Sequence, residues 1–547
     1  MAHDPLRELA GAVENAAAAV RGDKTTTSAP LRLERPKHER QGDYSTNAAM
    51  LLAPALHRPP MEIAQLIGAS LSDHLGEDLA TAEVAGPGFL NLVMSDRWHR
   101  RALESILDAD EQFGKGGAQR PERILIEFVS ANPTGPLPAS SGGRHGAYGD
   151  ALARILEHHG HAVSREYYFN DAGGQIRLLG ESVRARARGE DVPEGGYQGA
   201  YVVELAAQSP GAADRDVDEL AQAAVEVLLA EIKASLERFG VRFDRFFSER
   251  TLHEGTPSPL ERTLTLLQEA GHVYRSDGAV WLRTTTFGDT KDRVVVRSNG
   301  EPTYLAADVA YLQDKRDRGF TRQLTVVGAD HHAYVAELKA AMTALGDDPD
   351  TVEVPLIQWV HLVEGGELVG MSKRRGEFVT LDDLLGEIGV DATRYFMLQR
   401  SHDRKLELDV ELARKQSNEN PVYYVQYAHA RASSMLGRLS EERVNDAIAG
   451  VCGADGEALH ESERRLIKKL ADFPDEVAEA ADRRGPHRIA GYALELAQDF
   501  TAFYRDCRVV GATPESTESF RIALSVAARR VIAMSLGLLG VSAPDAM

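Results

Sequence analysis

RILIEFVSANPTGP (123–136), with GAYGDALARILEHHG (146–160) and HAVSREYYF (161–169) behind it, decides the fold. Its first seven residues form a short apolar, β-branched run, the pattern of a buried strand. A loop of Ser, Asn, Pro, Thr and Gly follows. Ala147, Ala151, Leu152, Ile155 and Leu156 then recur at helical spacing, and Gly160 stops the helix. HAVSREYYF returns as a strand. Strand, loop, helix and strand make a βαβ unit, whose ligands bind at the carboxyl ends of the strands. The expected class is α/β, with a Rossmann-type parallel sheet.

Outward from this unit, LTVVG (324–328) reads as a second strand with YVAELKAAMTALG as its helix. VEVPLIQWVHLV (352–363) is a third strand region, and GAVWLRT and KDRVVVRS are further sheet elements. Residues 175–250 read as an inserted, largely helical and acidic segment. Residues 1–115 form a separate α/β module, ended by the Gly- and charge-rich linker EQFGKGGAQRPE (111–122). From about residue 382 to the end the pattern is helical, with no strand expected. A chain of 547 residues exceeds one core. Three domains are expected: 1–115, 116–400 with a helical insertion near 175–280, and an all-α region 401–547.

Composition narrows the classes. Two cysteines, Cys452 and Cys507, exclude a disulfide scaffold and a four-cysteine zinc site. The N-terminus mixes acids among its alanines, unlike a signal peptide. No window reads as apolar enough for a membrane span, so a cytoplasmic protein with no membrane partner is expected. The net charge is −21, against the usual basic signature of nucleic-acid binding. Residues 421–547 carry only −3 of it. Arg464, Arg465, Lys468 and Lys469, with Arg483, Arg484, Arg488, Arg529 and Arg530, could form a local basic face there; solvated salt-bridged helix faces are an equal reading.

Four segments carry candidate chemistry. SANPTGP (130–136) is a rigid turn between strand and helix, where backbone N–H groups and a helix dipole suit phosphate. GMSKRRG (370–376) is a cationic loop able to close over polyphosphate. In RSNGEPTYLAADVAY (297–311), Tyr304 and Asp308 lie four apart on one helix face, a pair suited to a planar cation. GADHHAYV (328–335) places Asp330, His331 and His332 at a strand end; with no third ligand near, no metal site is expected. Each segment alone has a plain structural reading as a turn, a surface loop or a helix end.

Their order and spacing resemble the arginyl-tRNA synthetases. The likeness runs through YYFNDAGGQI (167–176), GDTKDRVVVRSNGEPTYLAADVAY (288–311), MSKRRGEFVTLDDLL (371–385), DATRYFML (391–398), NPVYYVQYAHAR (420–431) and FTAFYRDCRVVG (500–511). QGDYSTNAAMLLA and VAGPGFLNLVM look like that family's added N-terminal domain, which contacts tRNA. The resemblance implies an arginine–tRNA ligase, a monomer that takes ATP with Mg2+, arginine and tRNA. It implies that Glu127 and Asn132 hold the ends of the amino acid and that Tyr304 and Asp308 read its guanidinium. Asp330, His331, Asn170 and Asp171 are further candidates. Lys373 matches the second lysine of the KMSKS loop, with Ser372, Met371 and Arg374 beside it, while Gly370 replaces the first. ATP is expected along Pro133, Thr134, Gly135, Pro136, Gly142 and Gly143. The helical C-terminal region resembles the anticodon-binding bundle, with Tyr423, Tyr427 and Arg431 (and Tyr424 and Gln426 between) offered to tRNA bases.

One departure is serious. Where class I enzymes carry HIGH, usually as PLHVGHGR in this family, this chain reads PLPASSGGRHG, one residue longer. Pro138 stands at the first histidine. Either Ser140, Ser141, nearby backbone N–H groups and Arg144 or His145 replace the phosphate donors, or ATP activation is lost and the chain is an impaired, tRNA- or arginine-binding paralogue. The retained set from Glu127 to Lys373 favours replacement. A cysteinyl enzyme would need zinc-binding cysteines, and a small-molecule nucleotidyltransferase leaves the N-terminal module and helical third unexplained.

Overall fold

The computed structural model describes residues 4–22, 33–36, 41–368, 379–451 and 457–547. A five-stranded sheet lies at its centre, ordered Val352–Glu353, Arg322–Thr325, Arg123–Glu127, Ala162–Phe169 and Arg245–Ser248. Every neighbouring pair is parallel. Strand order reverses between Arg123–Glu127 and Arg322–Thr325, which makes their carboxyl ends the topological switch point of a doubly wound fold. Ile124, Leu125 and Ile126 are fully buried, which is why the run lacks polar alternation. The helix Gly146–His159 packs against this strand; a Cβ on Gly149 would lie 2.2 Å from the Phe128 ring.

Several elements differ from the sequence reading. The stretch 175–280 is not wholly helical. It holds helices Gly174–Arg188, Ala200–Gln208 and Val217–Arg238, but then contributes Arg245–Ser248 to the edge of the parallel sheet. GAVWLRT and KDRVVVRS do not join that sheet; with Val273–Ser276 they form a separate antiparallel sheet, Val273–Ser276, Ala279–Leu282 and Arg293–Val296. The region 352–363 is three short strands, since Pro355 has no N–H to continue a ladder. Its last part, Val360–Glu364, pairs in parallel with Leu406–Asp409, a strand where only helix was expected.

The N-terminal module is an antiparallel sheet ordered Leu33–Glu34, Tyr44–Thr46, Phe89–Met94, Leu79–Ala85, with helices against it. The C-terminal third is a helical bundle around Glu515–Leu539. That helix is long and apolar enough to cross a membrane, which corrects the sequence reading; 72% of its most apolar window is buried in the protein. Among described residues it is the core helix of the bundle.

Candidate active site

The last residue of the central strand begins the site. Beyond Glu127 the chain turns sharply: Val129 has φ +67° and Ser130 φ +44°. A β-branched residue seldom adopts that conformation, and such strain collects at ligand sites. The turn brings the Ser130 hydroxyl back to donate to Glu127 Oε1 at 3.2 Å, while Ser130 Oγ accepts the Tyr168 N–H. Glu127 Oε2 accepts from Lys315 Nζ at 2.8 Å and Thr325 Oγ1 at 3.3 Å.

Lys315 arrives on the helix Tyr304–Asp317. Tyr304, Asp308, Tyr311 and Lys315 fall at i, i+4, i+7 and i+11 and share one face. That face borders a cavity of about 530 Å³ at the switch point, with Glu127, Ser130, His145, Tyr168, His331 and Tyr334 on its other walls. Tyr304 is 68% exposed at the mouth and Lys315 only 1% at the floor. Burial pushes the Asp308 carboxyl up to about 7; Glu127 and Glu249 push the same way, against the Tyr334 hydroxyl bonded to it. Among the described residues no cation forms an ion pair with Asp308. The cavity thus offers a carboxylate poised for a ligand's positive charge, flanked by tyrosines.

The other expected residues sort differently. Asn132 is exposed and lines the neighbouring hollow, not this cavity, donating to Gln175 Oε1 and accepting the Asn170 N–H. Asp330 and His331 sit together on a surface turn, 3.6 Å apart, with only His331 lining the cavity. Asn170 caps the Ala172 N–H. Asp171 is buried and takes the Ser248 hydroxyl and the Arg250 N–H, so it holds the turn after 245–248 and not a ligand.

SANPTGP lines a second hollow of about 330 Å³ with Ser141, Gln175, Tyr197 and Tyr201; Pro133 is buried beneath it. The Tyr201 hydroxyl bonds the Thr134 carbonyl at 2.9 Å, and a Cβ on Gly135 would meet that hydroxyl at 3.1 Å. Pro136 and Pro138 complete its wall.

The segment that replaces HIGH is a π-helical turn, Ala139–His145, opening into the helix Gly146–His159. A π turn accommodates one extra residue in a helix without breaking it, and here absorbs the added length. Gly142 and Gly143 are buried. A Cβ on Gly142 would lie 2.5 Å from Leu137 and one on Gly143 3.1 Å from Met397, and the Gly142 N–H bonds the Pro138 carbonyl. They are glycines for internal packing, which corrects their assignment to ATP. Arg144 is buried as well, its guanidinium held inside the protein on the carbonyls of Gln358 (2.7 Å) and Ser401 (3.0 Å). Ser140 is half-buried and borders neither hollow. His145 does border the cavity. Its Nδ1 is buried with no hydrogen-bond partner among the described residues, and burial, aided by Arg144, lowers the imidazole to about 4, leaving it neutral. Pro138 pairs with Thr380, and Ala139 N–H bonds the Val379 carbonyl. Met371, Ser372, Lys373 and Arg374 lie outside the described residues.

In the bundle, Tyr423 and Tyr427 stack at 6.1 Å, and the Arg431 guanidinium lies over Tyr427 at 4.7 Å and Tyr504 at 5.3 Å. Tyr504 was not foreseen. Tyr424 packs on the core and Gln426 is buried on Asp391 and Ser542, so both are structural. The expected basic face is made of ion pairs: Arg464 with Asp96, Arg465 with Asp499, Lys468 with Asp43, Lys469 with Glu495, Arg484 with Glu353 and Arg530 with Asp110. Arg483 and Arg488 bind Glu479.

Four site residues escaped the sequence reading. Lys315 had a signal, the shared helix face. Tyr334 lay in a quoted segment. Tyr168, donating to Glu249 at 2.7 Å, and Glu249 itself had only their places at strand ends.

Three family models match the chain: the arginyl tRNA synthetase N terminal domain over residues 7–94, the class I (R) tRNA synthetase catalytic domain over 198–433, and the DALR anticodon binding domain over 425–547. An arginine–tRNA ligase from Frankia alni is 45% identical over 534 residues, 95% of this chain and 96% of that protein. One from Kineococcus radiotolerans is 43% identical, over 96% of each. The arginyl-tRNA synthetase structure from Thermus thermophilus shares the fold at a TM-score of 0.76, covering 99% of this chain and 100% of that one at 24% identity.

Proposed function

The chain belongs to the arginyl-tRNA synthetases, class I enzymes that ligate arginine to tRNA, and we propose how its site residues divide that work. The carrying observation is Asp308, a carboxylate raised by burial, without an ion-paired cation among the described residues, and set among tyrosines. A guanidinium fills such a place with paired, planar hydrogen bonds; a lysine ammonium fills it poorly. The arginine guanidinium is therefore assigned to Asp308 and Tyr304, and its α-ammonium to Glu127, with Asn132 at the open side.

ATP runs along SANPTGP and the π turn. Arginine's carboxylate oxygen attacks the α-phosphorus, that P–O bond forms, and the bond to pyrophosphate breaks. The nucleophile is already ionised, so the protein supplies position and charge stabilisation. With Arg144 committed to backbone carbonyls, His145 is the imidazole donor to phosphate, with Ser141 beside the loop and Lys373 reaching from its own loop. Mg2+ comes as the companion of ATP, held by phosphates and water. A hydroxyl of the ribose at the 3′ end of the tRNA then attacks the arginyl carbonyl and AMP leaves. Tyr423, Tyr427, Arg431 and Tyr504 offer stacking faces to unpaired tRNA bases. The enzyme works as a cytoplasmic monomer, in three domains near 1–115, 116–400 and 401–547.

Arginine-dependent ATP–pyrophosphate exchange, with and without tRNA, tests this. Exchange that needs arginine and is lost in His145→Ala with arginine binding intact supports the assignment. Exchange unchanged in that variant removes His145 from the phosphate site; no exchange at all in the wild type makes the chain a binding relative.

A further inference from the structure

We infer that Lys315 is a positioning residue for the amino-acid substrate, holding the Glu127 carboxylate in place so that it can take the α-ammonium. The inference rests on the assignment of Glu127 to that group. Lys315 is 1% exposed, and its ammonium is 2.8 Å from Glu127 Oε2. It lies 4.0 Å over the Tyr311 ring. Tyr311 is fixed in turn: its hydroxyl bonds Glu166, whose carboxylate is clamped by both terminal nitrogens of Arg318 at 2.7 and 2.8 Å. The relay runs between the neighbouring strands Arg123–Glu127 and Ala162–Phe169 and the helix Tyr304–Asp317, with Arg318 at the helix's carboxyl cap.

Removing one partner of a buried ion pair leaves the other charge uncompensated and its side chain free to move. Glu127 ends a buried strand and shares the cavity with the Asp308 carboxyl. Lys315 is the cation bonded to Glu127. Because the ammonium and the Thr325 hydroxyl meet Oε2 and the Ser130 hydroxyl meets Oε1, the remaining acceptor directions of Glu127 are set by three donors.

The experiment is a double-mutant cycle on the full-length enzyme, reading KM for arginine, KM for ATP and kcat in pyrophosphate exchange. Glu127→Gln is expected to raise KM for arginine at least tenfold. Lys315→Met raises it by a similar factor with KM for ATP within about twofold, and Lys315→Arg restores most of it. Lys315→Met combined with Glu127→Gln, an uncharged pair that tolerates burial, adds no further loss. If Glu127→Gln leaves KM unchanged, the assignment of Glu127 fails and the inference with it. If Glu127→Gln has its effect while Lys315→Met is silent, adds its loss independently, or raises both KM values equally, the inference alone is overturned.

Discussion

The switch-point cavity and the seam between the C-terminal bundle and the N-terminal module handle charge in opposite ways. In the seam Arg464 meets Asp96, Lys468 meets Asp43 and Arg530 meets Asp110, each acid drawn from the other module. In the cavity Lys315 balances Glu127 and Arg293 binds Glu337, but Asp308 has no ion-paired cation among the described residues. A charge with a built-in partner is architecture; a buried charge left without one is held for a ligand. The contrast also resolves the puzzle of a tRNA ligase with a charge of −21. Eight of its nine clustered C-terminal cations, all but Arg529, are paired with acids of the chain itself, and the faces proposed for bases are the aromatic ones around Arg431.

The largest test of the contrast is Asp308→Asn. It removes the charge and keeps the shape, so KM for arginine is expected to rise about 100-fold or more, on the order of 3 kcal/mol for a buried charged partner. KM for ATP should move by less than about twofold and the melting temperature should hold or rise, since an unpaired buried carboxylate is lost. Equal losses for both substrates would mean that Asp308 supports the fold of the cavity instead.

The same residue sets a pH dependence. Burial first, then Glu127 and Glu249, raise Asp308 to about 7 in the empty site. The guanidinium stays protonated throughout and favours the ionised carboxylate. Below pH 7 a proton must leave Asp308 when arginine binds, so affinity falls toward tenfold per pH unit as pH drops; above 7 it levels off. Calorimetric titration from pH 5.5 to 8 should show this slope in the wild type and its absence in Asp308→Asn. A flat wild-type profile would break the link.

The sequence made the central unit legible because buried parallel strands and amphipathic helices leave long, regular patterns. It hid the elements whose pattern is short. Arg245–Ser248 has four residues at a sheet edge inside a helical stretch, and Leu406–Asp409 shows only Leu406 and Leu408 inward. The site was legible where residues share a helix face, as with Tyr304 and Asp308, and could have been extended to Lys315 by two more turns. Gly142, Gly143 and Arg144 misled because glycines and a cation near a phosphate loop look the same whether they face ligand or core. Only packing against Leu137, Met397 and two carbonyls separates the cases.

The smallest expected effect sharpens the other side of the comparison. Lys468→Ala breaks the pair with Asp43, whose partners are mostly but not wholly sheltered from water, and should cost about 1 kcal/mol or less of stability. Because Lys468 binds an acid of its own chain, tRNA affinity and its salt dependence should not change. Arg431→Ala, removing a guanidinium that bridges Tyr427 and Tyr504, should weaken tRNA several-fold with little change in stability. Both follow from filter binding across a salt series. If Lys468→Ala instead lowers the salt slope by about 1, Lys468 leaves Asp43 to meet a phosphate when tRNA arrives. The seam would then be an interface that opens for its substrate, and paired charge would no longer mark architecture alone.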